Sequence, residues 1–342
     1  MQYDEKRKKD DEKRKREERR KRDDEGRCDP DRPMRRVQCE DVDRPAKKKV
    51  PKELRDIEAR IELPAFEVEI LSPDALQEVS DEAIEAFLPD WEPVRAKPDR
   101  ALRQEGYRPR IRFRGKELEP VVVLGTDERR TYNDRAYPWG CVCRVVTSVG
   151  SGSGVLVGPR HVLTASHVVN WSIPGGVNGV VEVHRAGATV SAVSTITRVT
   201  AFTRVTGTVG WTELDEDYAV LETADAIGDR FGWLGTRRYS SSWDDEPYWY
   251  NIGYPGDVGG GMWPTWQRRK WLDEHAWDFG SGRAMDTNAD INPGNSGGPM
   301  FAWWAEGPYV VAVVSAHDVE DMENYCSGGS DLVRVVRAAR GL

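Results

Sequence analysis

Short apolar runs separated by turn residues dominate the chain from Pro120 onwards. Clusters of Gly, Pro, Asn or Asp divide the runs, which is typical of strands joined by tight turns. The runs are Val121–Gly125, Tyr137–Val146, Gly154–Gly158, His161–Ala165, Val177–Val183, Val193–Val199, Tyr218–Leu221, Tyr248–Gly253, Gly282–Met285, Pro299–Trp303 and Tyr309–Ser315. This pattern predicts an all-β sandwich or barrel. A C-terminal helix over Asp331–Arg340, ending at Gly341, closes the chain.

The residues before Pro120 have a different pattern. Residues 1–50 alternate Lys and Arg with Asp and Glu, which predicts a disordered or helical charged tail, and residues 5–22 are compatible with a lone solvated helix. Residues 51–119 form a Pro-rich N-terminal extension. In it Ser72 is expected to cap a helix whose apolar positions run on to Leu88 and which Pro89 ends. The composition of residues 51–119 is compatible with a removable propeptide and with a permanent extension.

Charge narrows the classes of partner. The 342 residues carry a net charge of −8, to which residues 1–50 contribute +5 and residues 51–342 contribute −13. An acidic folded part is not expected to bind nucleic acid. No apolar run approaches the roughly 20 residues of a membrane-spanning helix, so no membrane span is expected. The first residues are charged and include no apolar signal-peptide core.

The five cysteines are Cys28, Cys39, Cys141, Cys143 and Cys326. Five is an odd number, so at least one is free or forms an intermolecular bond. Cys141 and Cys143 are two residues apart in a predicted strand and would face the same side. No second close pair follows, so a metal site is not expected, and a buried free thiol is the favoured interpretation for at least one of the five.

Candidate chemistry begins in the segment Asn292–Pro299, where Ser296 lies in a glycine-dense turn flanked by prolines. A serine hydroxyl is a poor nucleophile unless a base removes its proton and N–H groups stabilise the resulting oxyanion. The turn can expose the Ser296 hydroxyl and direct the N–H groups of Gly294 and Ser296 towards one point. Taken alone, the segment is also compatible with an ordinary Gly/Pro loop.

Two upstream segments supply the missing groups. His167, in Leu163–Val169, offers a base, and Asp217, in Asp215–Leu221, offers an acid to orient it. His, Asp and Ser thus follow one another in the chain order of the chymotrypsin-type triad. Asp215 is also near, but the Tyr-Ala-Val-Leu sequence after Asp217 favours Asp217.

These motifs carry a family resemblance. Gly152–Val157, Val162–His167, Asp217–Leu221 and Gly294–Pro299 together resemble the trypsin-like serine proteases. The segments that resemble the glutamyl endopeptidase branch in particular are Val121–Asp127, Gly253–Asp257, Met262-Trp263 and Asp286-Thr287. The resemblance implies a chymotrypsin-like double β-barrel over residues 120–342, with the active site in the cleft between the barrels.

The resemblance also implies roles for single residues. Ser296 is the expected nucleophile, His167 the general base, Asp217 the residue that orients it, and the N–H groups of Gly294 and Ser296 the oxyanion hole. The implied activity is a serine endopeptidase acting on protein or peptide, with no cofactor and no metal. The family is mostly exported, so secretion is expected. The alternative is a protease-like binding module that has lost turnover.

The preferred substrate stays open at this stage. Asp290, six residues before Ser296, would favour cleavage after Lys or Arg if its carboxylate lay unpaired in the primary pocket. The loop Asp286–Pro293 could also place Asp290 in solvent, where it would select nothing. A glutamyl preference needs a positive or donor-rich pocket, for which His317 is the candidate. Val168 departs from the family pattern, and Ile291 and the late position of His317 depart from the pattern of the branch. Gly253–Asp257 and Met262-Trp263 nevertheless favour acidic substrates slightly.

Overall fold

The structure is a computed structural model. It describes residues 31–35, 37–55, 66–99, 111–113, 116–118, 126–171, 179–207, 209–210, 212–274, 281–318 and 323–342. Three features of the sequence lie outside the described residues. They are the helix considered over 5–22, the strand expected over Val121–Gly125, and Cys28. The chain divides into a unit of residues 1–33 and a compact unit of residues 34–342. The compact unit therefore begins inside the segment that the charge pattern assigned to the tail.

Four strands precede the first barrel: β1 (Glu67–Ile70), β2 (Ile111–Phe113), β3 (Lys116–Leu118) and β4 (Arg130–Thr131). Among the described strands, β2 and β3 pair only with each other. The described helices are α1 (Cys39–Val42), α2 (Pro73–Glu78), α3 (Ile227–Phe231) and α4 (Ser330–Arg340). α4 ends at Gly341 in the left-handed conformation, with a φ of 66°, as its sequence predicts. Every helix in the described part is too short or too polar to cross a bilayer.

Six strands close into the first barrel. They are β5 (Val142–Thr147), β6 (Gly150–Leu156), β7 (His161–Thr164), β8 (Gly179–Ala186), β9 (Thr189–Ala201) and β10 (Ala219–Thr223). Their order is β9-β10-β7-β6-β5-β8, and β8 pairs again with β9. β-Branched residues and leucines fill the interior, where Val145, Val155 and Leu163 have no exposed surface. The closed barrel confirms the predicted strand-rich architecture.

The remaining strands form a second, open sheet. They are β11 (Gly235–Thr236), β12 (Trp249–Gly253), β13 (Thr265–Lys270), β14 (Leu272–Glu274), β15 (Gly282–Thr287), β16 (Pro299–Trp304), β17 (Gly307–Asp318) and β18 (Glu323–Gly329). The order is β14-β15-β18-β17-β16-β12-β13-β4, and β11 pairs with β17. This curved sheet is a half-barrel beside the closed one, and the two together are the predicted chymotrypsin-like double barrel.

The N-terminal extension is built into the barrels. β1 runs parallel to β9, pairing Glu67 with Arg198 through Ile70 with Ala201. Leu76 is fully buried, and the N–H of Phe87 donates to the carbonyl oxygen of Trp233 at 3.0 Å. The extension thus supplies both core side chains and backbone hydrogen bonds.

The helix expected to run from Ser72 to Pro89 is wrong in its length. Ser72 caps α2 as predicted, its hydroxyl accepting from the Ala75 N–H at 3.2 Å, but α2 ends at Glu78. The Ser80 hydroxyl accepts from the N–H of Glu82, a local bond that competes with the helix. Beyond it, Ile84 and Phe87 pair with backbone near β11 instead. Tertiary pairing therefore overrides the helical spacing of the apolar residues.

The described cysteines bear out the free-thiol interpretation. Cys141, Cys143 and Cys326 are buried and unbridged, and Cys39 is exposed and unbridged. Burial raises the pKa values of the Cys143 and Cys326 thiols above the usual value. These buried thiols pack as small apolar groups.

Candidate active site

His167 lies just after β7, in a single 3₁₀ turn over Ser166–Val168. The Ser166 hydroxyl fixes this turn, donating to the carbonyl oxygen of Thr203 at 2.6 Å and accepting from the N–H of Val205 at 3.1 Å. The turn brings the His167 side chain to the end of the barrel, where it is 18% exposed. His167 therefore combines a fixed backbone with a partly open ring.

Asp217 meets His167 because of strand pairing. β10 pairs antiparallel with β7, with Ala219 opposite Thr164, so the residues flanking that pair lie side by side. Asp217 Oδ1 accepts from the His167 N–H at 2.9 Å, and Oδ2 lies 2.7 Å from His167 Nδ1. The carboxylate is fully buried. A carboxylate can only accept, so Nδ1 carries a hydrogen, and in the neutral imidazole Nε2 then keeps its lone pair.

Ser315 is a third partner of this carboxylate that the motif analysis missed. Its hydroxyl donates to Asp217 Oδ2 at 2.5 Å from β17. Three donors thus compensate the buried charge of Asp217, which would otherwise be costly. The only signal in the sequence is a polar residue after the apolar run Tyr309–Val314. Nothing in that pattern indicates which group the hydroxyl would contact.

The alternative acid, Asp215, faces a different environment. Burial raises its pKa, and the charges that act on it are those of Asp331 and Arg283. The backbone atoms of Asp215 pack against Gly282 at the start of β15. The contacts with His167 therefore belong to Asp217, the aspartate that the following Tyr-Ala-Val-Leu sequence favoured.

The turn that carries Ser296 packs against the segment leading to His167. Gly297 has a φ of 82°, and a Cβ there would clash with Thr164 and lie 2.7 Å from the Ala165 nitrogen, so only glycine allows this approach. The Ser153 N–H donates to the Ser296 carbonyl oxygen at 2.7 Å, and the Gly297 N–H donates to Val314 at 2.8 Å. Ser296 is half-buried, in a turn wedged between the segments that hold His167 and Ser315.

Backbone orientation at this turn favours an oxyanion site. The Gly294 carbonyl oxygen accepts from the Ser153 hydroxyl at 2.6 Å, and Gly294 has a φ of 103°. The Ser296 carbonyl also faces Ser153. In the part of the chain that the structure describes, neither the Gly294 N–H nor the Ser296 N–H donates to a protein acceptor. Both donors are therefore free for a substrate oxygen.

Asp290 is a buried member of a separate network of charged groups. Its side chain is 1% exposed, its Oδ2 accepts from the Glu128 N–H at 2.9 Å, and Lys270 Nζ lies 3.9 Å away. Burial raises the pKa of Asp290, and the Glu128 N–H and the Lys270 charge oppose that rise. Lys270 is itself 2% exposed and donates to Glu128 at 2.6 Å. The Asp290 carboxylate is therefore not exposed to solvent, and Lys270 and the Glu128 N–H already compensate its charge within the protein.

His317, the other candidate for specificity, lies on β17 opposite Asn324 of β18. Its side chain is exposed, and it follows a break in the strand register after Val314. The structure thus brings His167, Asp217 and Ser315 into direct contact and packs the Ser296 turn beside them. Asp290 belongs to a buried ion network, and His317 to an exposed strand edge.

Comparisons with known proteins agree with this fold. Residues 152–311 match the family described as trypsin-like peptidase domain. Glutamyl endopeptidase of Bacillus licheniformis is 30% identical over 184 residues, covering 52% of this chain and 54% of that protein. The match thus spans about half the length of that relative. A solved structure of a Glu endopeptidase in complex with MPD superposes with a TM-score of 0.51 at 20% identity, covering 64% of this chain and all of that one.

Proposed function

This chain belongs to the trypsin-like serine proteases, and from that premise we propose that it is a serine endopeptidase acting through an acyl-enzyme on Ser296. The observation that carries the proposal is the buried Asp217 carboxylate, which accepts from both the backbone N–H and Nδ1 of His167. A lone histidine on a loop would not need such a partner. The comparisons support this reading of the domain, including its glutamyl endopeptidase-like branch.

The roles follow from the hydrogen positions. His167 Nε2 takes the proton from the Ser296 hydroxyl as the hydroxyl attacks the peptide carbonyl, and Asp217 stabilises the imidazolium that forms. The N–H groups of Gly294 and Ser296 receive the developing oxyanion, where loss of one donor costs on the order of a hundredfold in rate. His167 then returns the proton to the leaving amine, and water releases the acyl group by the reverse steps. A silent binding module is not favoured, because no position of the triad is replaced.

A fluorophosphonate probe tests the chemistry directly in the full chain. The probe should label the protein, and Ser296→Ala should abolish labelling because the reactive oxygen is gone. Ser242→Ala, which removes an exposed serine hydroxyl from the second half of the chain, is the matched control and should label normally. Equal labelling of the Ser296→Ala variant would overturn the assignment of the nucleophile.

The substrate preference that the geometry supports best is for acidic residues, and cleavage after Lys or Arg is disfavoured. Asp290 already has Lys270 and the Glu128 N–H as partners, so an incoming cation would have to displace one of them. A peptide-library profile of the wild type, Asp290→Ala and His317→Ala tests this. Dominant cleavage after Glu or Asp that falls in His317→Ala supports the preference. Dominant cleavage after Lys or Arg that falls in Asp290→Ala would refute it.

We also propose that residues 66–99 remain part of the working enzyme. The burial of this segment supports the proposal. Leu76 and Ala96 have no exposed surface, so removing the segment would expose the core that they fill. N-terminal sequencing of the labelled species decides between the two forms of the extension. A first residue near Pro120 or Val121, with no retained fragment, would show that the segment is a removable propeptide.

Secretion, expected from the resemblance, stays a prediction. Immunoblotting of culture medium against cell lysate from the native host measures it. Recovery of the active species from the medium would agree with export, and retention of the intact chain in the lysate would contradict it.

A further inference from the structure

A second cavity lies away from His167, Asp217 and Ser296, none of which lines it. It has a volume of about 570 Å³, and its lining residues include Arg35, Glu40, Lys97, Tyr250, Arg268 and Arg269. This volume lies within the range of about 300–1,000 Å³ that is usual for small-ligand sites. The proposed protease chemistry makes no use of this cavity.

The cavity is cationic in an otherwise acidic chain. Arg35, Lys97, Arg268 and Arg269 line it, whereas Glu40 is the one carboxylate among its lining residues. Arg35 is paired with Glu246 at 2.9 Å. Within the described ranges, Lys97, Arg268 and Arg269 form no ion pair. Three uncompensated cations around one cavity repel each other, so an anion that bound there would relieve that repulsion.

The backbone of β13 is distorted at this cavity. Trp249 pairs with Lys270 and Tyr250 with Arg268, so Arg269 is an extra residue in a β-bulge. Its φ is 59°, in the left-handed region, which costs a side-chain-bearing residue roughly 1 kcal/mol. Successive residues of a regular strand point to opposite faces, whereas a bulge re-aims a side chain. The bulge allows the adjacent Arg268 and Arg269 to line one cavity.

A rigid hydroxyl completes the lining. The Tyr250 ring stacks on Phe301 with centroids 5.4 Å apart and contacts Trp139 edge to face at 6.1 Å. Its side chain is 94% buried by these contacts, being only 6% exposed. Among described residues its hydroxyl has no hydrogen-bond partner. Burial raises the pKa of this hydroxyl, and the nearby charges of Arg268 and Arg269 oppose that rise. The hydroxyl is thus a fixed donor beside two guanidinium groups.

We propose that this cavity is a binding site for a small polyvalent oxyanion, held by Arg268, Arg269 and Lys97 with the Tyr250 hydroxyl as an additional donor. Guanidinium groups bind phosphate and carboxylate oxygens in pairs, which suits two adjacent arginines. The site is separate from the proposed peptidase cleft, and its test does not depend on proteolysis.

Calorimetric titration of the full chain carrying Ser296→Ala, which prevents self-cleavage, tests the site with pyrophosphate and with citrate as the two probes. Saturable binding of either probe is expected, and it should weaken as salt is added because the attraction is between charges. Binding of pyrophosphate alone assigns the site to phosphate chemistry, and binding of citrate alone assigns it to carboxylates. Absence of saturable heat with both probes up to about 5 mM would overturn the proposal.

Arg268→Gln and Arg269→Gly are the informative variants. Each removes one guanidinium and is expected to weaken binding by about tenfold or more. Arg269→Gly also relieves the left-handed strain, so its melting temperature should not fall, which separates loss of binding from loss of folding. Arg130→Gln is the matched control: Arg130 is exposed on the neighbouring strand β4 and outside the cavity lining. Equal weakening in Arg130→Gln and Arg268→Gln would show a nonspecific charge effect and refute the site.

Discussion

Asp217 and Asp290 are both buried aspartates of the protease domain, yet their surroundings serve different ends. Asp217 is compensated by the N–H and Nδ1 of His167 and by the Ser315 hydroxyl, and His167 is partly open to the cleft. Asp290 is compensated by the Glu128 N–H and by Lys270, which is itself buried. One carboxylate acts on a group that can meet a substrate, whereas the other is part of an internal ion network. Burial alone therefore does not identify a functional carboxylate; the exposure of the ionisable side chain that it contacts does.

The largest expected effect is that of Asp217→Asn. The amide cannot hold the His167 tautomer that leaves Nε2 unprotonated, so kcat should fall by about ten-thousandfold, as is typical of this change in a serine protease. Asp290→Asn, the matched change at the other carboxylate, should alter kcat by less than about threefold, because Asp290 touches no reacting group. Steady-state kinetics on a peptide substrate measures both. Similar losses in the two variants would erase the distinction between the sites.

Lys270→Met tests the network around Asp290, where the expected loss is in stability and not in rate. It leaves Asp290 buried without its cation, which should cost roughly 3 kcal/mol in the free energy of unfolding. Adding Asp290→Asn to this variant should restore most of the loss, since the unpaired charge is then gone. Urea denaturation of the single and double variants measures the difference. A double variant no more stable than Lys270→Met would show that Lys270 stabilises by other contacts.

Ser315→Ala should have a smaller effect, confined to the Asp217 site. Losing one hydrogen bond to a buried charge costs about 1.5 kcal/mol, so kcat/KM should fall by about tenfold, mainly through kcat. Ser194→Ala is the control, because Ser194 is also buried and its hydroxyl donates to a carboxylate, that of Asp225, at 2.7 Å. That variant should keep its kcat. A matching loss of kcat in Ser194→Ala would indicate general loosening of the fold.

The smallest expected effect is on the pH dependence of stability. Burial raises the folded-state pKa of Asp290 above 3.8, so the folded state holds its proton to higher pH than the unfolded state. Wild type should therefore lose stability relative to Asp290→Asn as pH rises from 3.8 through the folded-state pKa. Denaturation curves for both proteins, taken across that interval, give the difference. Parallel pH dependences would mean that the Asp290 pKa is unshifted.

The sequence predicted the fold and the central candidates for physical reasons that act locally. The turn needs glycine at Gly297 because of a positive φ and the close approach of Thr164, so the turn is visible in the sequence itself. The apolar runs likewise show strand periodicity over neighbouring residues. Ser315 and Lys270 left no such signature, because their partners, Asp217 and Asp290, lie in distant segments of the chain and meet them only in the folded structure. The length of α2 was wrong for the same reason: backbone partners at Trp233 and Thr236 outcompete local helical spacing.

The joining of the extension to the C-terminal helix has a consequence for synthesis. The Ser330 hydroxyl donates to Asp81, and the Arg334 side chain donates to the carbonyl oxygen of Val79, across 249 and 255 residues of chain. The ribosome therefore releases the extension long before its partners exist. Such contacts raise the contact order, which slows folding and prolongs the time during which apolar surface is open to aggregation. The extension of a nascent chain can complete these contacts only after α4 has been made.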